Sequence, residues 1–279
     1  MCENNPLRPN DYRNYYNDIS KTKAFGDCVA ISPKAALFTK YIFVADDGSD
    51  YNTENVIQNF RFANPSLNIR HIWHENLGFR KTRILNDAVH SSQADYIIFT
   101  DDDCVMHPTF ISRHLKLAKE GHFATGSAIR LTKFLSDKIL DQGELSWSEL
   151  GRPLEWQPRS FSEKLKSMPF DHRVMGILDY LSPVRCSWAG GNASTFRKHI
   201  LKVIGFDTKM AYGGEDKEFG VRLTNLGIKG RHLRYTAPIY HLHHERGYVK
   251  KNQLQKNREI LKQTRSSNKI VTENGIFPM

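Results

Sequence analysis

Two short apolar runs, each ending in a cluster of aspartates, constrain this chain more than any other feature. YIFVA (41–45) leads into Asp46, Asp47, Gly48 and Ser49, and ADYIIFT (94–100) leads into Asp101, Asp102 and Asp103. Apolar runs of this length, closed by turn residues, predict buried strands. Between them the pattern predicts a helix near 53–62, a strand at 68–73 (NIRHIW) and, after Gly78, a helix from about Arg80 to His90. Ile84, Leu85, Ala88 and Val89 would form the apolar face of that second helix. Strands alternating with helices imply an α/β chain with a mostly parallel central sheet flanked by helices. Ligands of such sheets bind beyond the carboxyl ends of the strands, where both acidic clusters fall.

The rest of the chain is less regular. Residues 1–40 are rich in turn formers and carry no clear strand, and 130–185 holds Trp147, Trp156 and several prolines. That second stretch is expected to be a lid or an acceptor-facing insertion. SWAGGNASTFRKHILKVIGFD (187–207) is expected as strand, glycine turn and short helix. MAYGGEDKEFGVRLTNLG (210–227) is expected as a glycine turn and a helix burying Phe219, Leu223 and Leu226, closed by Gly227. RHLRYTAPIYHLHH (231–244) is expected as extended chain.

The composition excludes several classes. Of 279 residues, 39% are hydrophobic, enough for a core. The cysteines, Cys2, Cys28, Cys104 and Cys186, form no C-x-x-C pair, which argues against a zinc knuckle or redox motif. No signal-peptide pattern opens the chain and no run of apolar residues is long enough to span a bilayer, so a cytoplasmic location is expected. The net charge of +10 is uneven: from Arg246 to Lys269 there are eight basic residues and one acidic residue, Glu259. That stretch is either a solvated helix or a patch for a polyanion such as an anionic membrane surface.

Four constellations carry chemistry. Alternate residues of an extended segment point the same way, so Asp101 and Asp103 of TDDDC would act together while Asp102 turns aside. Their hard oxygens suit Mg²⁺ or Mn²⁺, which neutralises a diphosphate. In VADDGSD, Asp46 or Asp47 is placed to accept bonds from a base or ribose, unless the segment is an ordinary capped turn. In YGGEDKEF (212–219), Glu215 and Asp216 sit at a helix start that favours ionised carboxylates, and such an Asp can serve as general base. His241, His243 and His244 cluster in YHLHHER, where a neutral imidazole could complete the coordination of a metal held by Asp103.

These blocks, in this order, resemble glycosyltransferase family 2. VADDGSD, NLGFRKTRILNDAV (76–89) and IIFTDDDCVMHPTFI (97–111) resemble its nucleotide-binding half. Residues 188–223, WAGGNASTFRKHILKVIGFDTKMAYGGEDKEFGVRL, resemble the C-terminal block shared with β-1,4-galactosyltransferases and chondroitin-type polymerases. The resemblance implies a GT-A fold with a Rossmann-like nucleotide-binding half at 41–130 and an acceptor-binding half at 131–245. An atypical segment (1–40) would precede it, the family's first strand being altered or missing there, and a basic tail (246–279) would follow. It further implies that Asp46 and Asp47 contact uridine with Arg83 nearby, and that Asp101 meets the ribose or a water, with Asp102 grouped among the nucleotide-sugar residues. Gly190, Gly191 and Asn192 would line the sugar pocket, Asp103 with His241 and His244 would bind Mn²⁺ or Mg²⁺, Glu215 would hold the acceptor, and Asp216 would be the base.

The function implied is metal-dependent, inverting transfer from a UDP-sugar to a glycan or lipid-linked acceptor in surface polysaccharide or lipopolysaccharide synthesis. The basic tail would hold the protein at the inner face of the membrane. Two alternatives stand beside it. One is a catalytically impaired, sugar-nucleotide-binding relic of the same fold. The other is a nucleic-acid-binding protein, disfavoured because acidic clusters repel phosphates and no recognition motif is present.

Overall fold

The computed structural model describes residues 41–107, 109–142, 161–167, 171–244 and 251–276. The expectations for the segment 1–40, and for Trp147 and Trp156, lie outside the described residues. The chain opens with β1 (Ile42–Asp46), α1 (Tyr51–Ala63), β2 (Ile69–Trp73), α2 (Lys81–Ser91) and β3 (Tyr96–Thr100). Each follows its sequence pattern closely. β1 and β2 pair in parallel, Asp46 opposite Trp73, with α1 as the crossover. Asp50 caps α1 by accepting the N–H groups of Asn52 and Thr53.

Then come β4 (Cys104–Met106), α3 (Phe110–Leu117), β5 (His122–Gly126), β6 (Ala128–Arg130), α4 (Lys133–Gln142), α5 (Phe161–Ser167) and α6 (His172–Tyr180). The chain continues through β7 (Asn192–Phe196), α7 (Arg197–Lys202), α8 (Glu215–Asn225), β8 (Lys229–Leu233), β9 (Ile239–His241) and α9 (Lys251–Ser266). The α/β class holds, but strand pairing beyond β2 is mixed. A four-stranded sheet has the order β3-β7-β5-β8, and a three-stranded one the order β4-β9-β6. β7 inserts between β3 and β5 and runs antiparallel to both, while β5–β8 and β6–β9 are parallel.

Two local expectations change. The strand of 187–207 follows the glycine turn instead of preceding it. Residues 192–196 have ladder partners on both sides, whereas the preceding stretch spends its side chains elsewhere: Trp188 packs edge-on against Phe99 and Phe219, at centroid distances of 5.6 and 4.9 Å. Residues 231–244 are not one extended stretch but two strands parted by a turn. The buried Asp179 carboxylate of α6 fixes that turn by accepting the N–H groups of Tyr235 and Thr236 and the Thr236 hydroxyl.

The main core lies beneath the future site. Ala45, Ile84, Leu85, Phe99, Trp188, Phe206, Phe219 and Leu223 form one apolar cluster that ties β1, α2, β3 and α8 together. α8 ends in a Schellman motif: Gly227 N–H donates to Thr224 O and Ile228 N–H to Leu223 O, with Gly227 at φ +90°. After it, α9 lies against α8, and Asn225 Nδ2 reaches the carbonyls of Thr264 and Lys269. No helix among the described residues is long and apolar enough to cross a membrane.

Candidate active site

At the end of β1 the backbone turns so tightly that a Cβ on Gly48, at φ +92°, would lie 2.5 Å from the Asn76 Cα. That turn locks both aspartates. Asp46 is 1% exposed; its Oδ1 accepts the Ser49 N–H at 2.8 Å and its Oδ2 faces His71 Nε2 at 2.9 Å. Burial by itself raises its pKa, but the His71 and Ser49 bonds together outweigh that and hold the carboxyl below its ordinary value. Asp47 Oδ1 faces His74 Nε2 at 2.6 Å, and its Oδ2 accepts the Arg80 N–H at 2.7 Å. Asp46 is thus buried and holds the turn. Asp47 keeps a partly exposed edge.

At the end of β3 the acidic triplet behaves differently. Asp101 Oδ1 pairs with Lys81 Nζ at 2.9 Å. Burial, and then the neighbouring Asp103 and Asp101 carboxylates, push the Asp102 carboxyl well above its usual range. Asp103 Oδ2 lies 3.2 Å from His241 Nε2 and 2.9 Å from His244 Nε2. The pairing of β4 with β9 puts Cys104 opposite His241, and the Leu242 N–H donates to Asp103 O, so the ladder itself carries Asp103 to the histidines. Past β9 the chain leaves the strand, which brings His244 back beside His241 with the rings stacked at 5.2 Å; His243 is exposed.

The donor set fits a divalent cation. His241 Nδ1 lies 2.7 Å from the Leu242 carbonyl, which only accepts, so this nitrogen carries the proton. In the neutral ring, Nε2 then presents a lone pair to an Asp103 oxygen. Two acceptors in contact require a proton or a metal between them, and backbone anchoring of the distal nitrogen is how metal-binding imidazoles are oriented. One ligand atom each from Asp103, His241 and His244 lie within 4.8 Å of one another, and Asp101 joins Asp103 and Cys104 in a second such group. Cys104 is not suited to the role. Burial and the adjacent Asp103 raise its thiol well above the usual value, and Sγ–H donates to Asp103 Oδ1.

Gly190 and Gly191 stand between this cluster and the start of α8. A Cβ on Gly191 would lie 2.2 Å from Asp101 Oδ2, and one on Gly190 would lie 3.3 Å from the Asp216 Cβ. The Gly190 N–H donates to Asp216 Oδ2 at 3.2 Å, and the Lys217 N–H to Oδ1 at 2.7 Å. Glu215 is buried beside it and accepts the Gly213 N–H at 2.7 Å. Burial raises the Glu215 pKa, Asp216 adds to the rise, and Lys81 opposes it. Lys81, Thr100, Gly190, Glu215 and Asp216 line one pocket.

Asn192 is not among the residues that line that pocket. It is 2% exposed; its amide donates to Ser127 O and Ala237 O, and its Oδ1 faces His114 Nε2 at 3.0 Å. Burial lowers the pKa of that histidine to about 4, so it stays a neutral core partner. Arg83 lies exposed on the first turn of α2. Lys81 is the residue that sequence reasoning missed. Helix phase held the signal: Lys81 shares a face with buried Leu85 and Ala88, at i, i+4 and i+7, whereas Arg83 shares one with exposed Asp87 and His90.

Comparison with known proteins identifies the family. Residues 37–176 match the family description "Glycosyl transferase family 2", and residues 179–245 match "N-terminal domain of galactosyltransferase". The chain is 24% identical over 223 residues to the chondroitin synthase of Escherichia coli, which covers 72% of this chain and 30% of that protein. It is 22% identical over 252 residues to the uncharacterized glycosyltransferase YfnE of Bacillus subtilis (strain 168), covering 80% of this chain and 62% of the relative. It thus spans less than two thirds of either relative's length. The crystal structure of S. aureus TarS superposes with a TM-score of 0.50 at 13% identity, covering 93% of this chain and 39% of that one. The fold is GT-A, and by the extent of the family match the chain belongs to glycosyltransferase family 2.

Proposed function

We propose that this chain transfers a sugar from a UDP-sugar to a hydroxyl of a glycan or lipid-linked acceptor, with inversion at the anomeric carbon, in the synthesis of a surface polysaccharide or lipopolysaccharide. One observation carries the reading. The Gly190–Gly191 turn is bonded to Asp216 on one side and leaves no room for a side chain against Asp101 on the other, which supports Asp216 as a base acting close to the acidic cluster.

Asp103, His241 and His244 would hold the cation, and the imidazole donors suit Mn²⁺ better than Mg²⁺. When bound, it would supply positive charge against the diphosphate. Two backbone N–H bonds fix the Asp216 carboxylate, leaving it oriented to take the proton of the acceptor hydroxyl. Glu215 lies against it and would accept a bond from a second acceptor hydroxyl. Lys81 holds Asp101 and offsets the crowding of negative charge. Asp47 would meet the nucleoside at its partly exposed edge. The exposed stripe Arg258, Lys262 and Arg265 of α9 would face anionic headgroups, placing the enzyme at the inner surface of the membrane.

Titration of UDP by calorimetry tests the site. Binding is expected with Mn²⁺, and is expected to disappear with excess chelator and in Asp103→Ala. Absence of binding to the folded chain in the presence of Mn²⁺ would overturn the reading and leave a relic of the fold.

A further inference from the structure

The residues after 245 lie beyond both family matches, yet one of them reaches the backbone that presents Glu215 and Asp216. Asn257 of α9 is 1% exposed. Its Nδ2 faces three carbonyls in a row, Ala211 at 2.7 Å, Tyr212 at 3.2 Å and Gly213 at 3.1 Å. Its Oδ1 accepts from Gln253 Nε2 at 2.9 Å. Carbonyls only accept, so the amide has one orientation: nitrogen toward the loop, oxygen toward Gln253.

A second contact comes from the same helix. A Cβ on Gly213 would fall 2.2 Å from Leu254 Cδ2, so the leucine fills the place a side chain would take. Gly213 and Gly214 have φ of +107° and +101°, conformations that residues with a side chain rarely adopt. The held loop then acts directly on the site, because the Gly213 N–H donates to Glu215 Oε2. Farther along α9, the buried Thr264 hydroxyl donates to the Glu218 carboxylate, which is already paired with Arg222. That second tie lies outside the loop.

We propose that α9 is a brace for the 211–214 loop, and that Asn257 is a positioning residue for Glu215 and Asp216, acting through the loop backbone and not by touching substrate. This rests on the proposed transfer activity only for its catalytic consequence. The physical claim is that loop order depends on the Asn257 amide.

Asn257→Asp keeps the shape but turns an oxygen toward three carbonyls, and Leu254→Ala frees Gly213 without adding charge. Hydrogen exchange of the 210–216 segment is expected to speed up about tenfold or more in both variants, with the strands of the core unchanged. Thr264→Val, which cuts only the distal tie, serves as the control for simple loosening of α9 and is expected to leave 210–216 protected. UDP affinity with Mn²⁺ is expected to stay within about twofold of the parent. Turnover of any UDP-sugar the parent accepts is expected to fall about 10–100-fold in kcat with KM for the donor little changed, the pattern of a displaced catalytic group. Unchanged exchange at 210–216, or an equal rise across the whole chain, would overturn the brace. Faster exchange in Asn257→Asp from a parent that turns over no UDP-sugar would retain the brace and remove the transferase reading instead.

Discussion

Asp46–Asp47 and Asp101–Asp103 look alike in sequence, each a row of acids closing an apolar strand, but the fold treats them in opposite ways. In the first, each of the four carboxylate oxygens has its own donor or histidine: Ser49 N–H, His71, His74 and Arg80 N–H. In the second, Asp101 pairs with Lys81, Asp102 is pushed toward its neutral form, and Asp103 Oδ2 meets two imidazoles at once, those of His241 and His244. Carboxylate oxygens that each have their own partner make a turn rigid, whereas one oxygen shared between two imidazoles makes a group that could hold a cation. Carboxylate count alone does not separate the two cases.

The sharpest way to break this contrast is to remove one acid from each cluster. Asp103→Asn is expected to weaken Mn²⁺-dependent UDP binding about 100-fold or more while leaving the metal-free melting temperature unchanged or slightly raised, since it relieves like-charge crowding on Asp102. Thermal melts in chelator and calorimetry in Mn²⁺ would read both effects. Asp46→Ala is expected to do the reverse. It leaves the Ser49 N–H and His71 without their acceptor, at a cost of about 1–3 kcal/mol measured by denaturant unfolding. Its Mn²⁺-dependent UDP binding should persist below the new melting point. Equal loss of binding from both variants would collapse the distinction.

Glu215 is the intermediate case, with one backbone donor and a pKa raised by burial and by Asp216. The folded state therefore holds the proton more tightly than the unfolded one, whose value lies near 4.5. Stability is then lost as pH rises from that value through the raised one, because above it a buried charge must be kept. Glu215→Gln should give a small rise in melting temperature at neutral pH that fades as pH falls through the raised value toward about 4.5. A rise that is constant with pH would mean the carboxyl is not the source.

Much of the first half was legible because its signals are local. β1 and β3 are apolar runs, α2 has a one-sided apolar stripe, and Asp50 and Gly48 are turn residues just past β1. The rest depends on partners distant in sequence. Nothing in NASTF marks it as the strand that inserts antiparallel between β3 and β5, since pairing direction leaves no trace in periodicity. The family resemblance implied a pocket role for Asn192, a residue that the fold holds through His114 and the carbonyls of Ser127 and Ala237. The cluster of Asp103 with His241 and His244 was readable as chemistry. Its assembly was not, because that depends on the three-residue pairing of β4 with β9.

That pairing also sets a timetable. His241 and His244 follow Asp103 by well over a hundred residues, so the ribosome completes the acidic crevice long before the imidazoles that finish it. During synthesis β1 can pair with β2 and close the lock around Asp46, but β3 waits for β7, and the apolar faces of β1, α2 and β3 wait for Trp188, Phe206 and Phe219. The cluster of Asp103 with His241 and His244 comes together only when β9 emerges and finds the edge of β4. Until then a nascent chain carries the acidic triplet without the two imidazoles that the fold later sets beside Asp103.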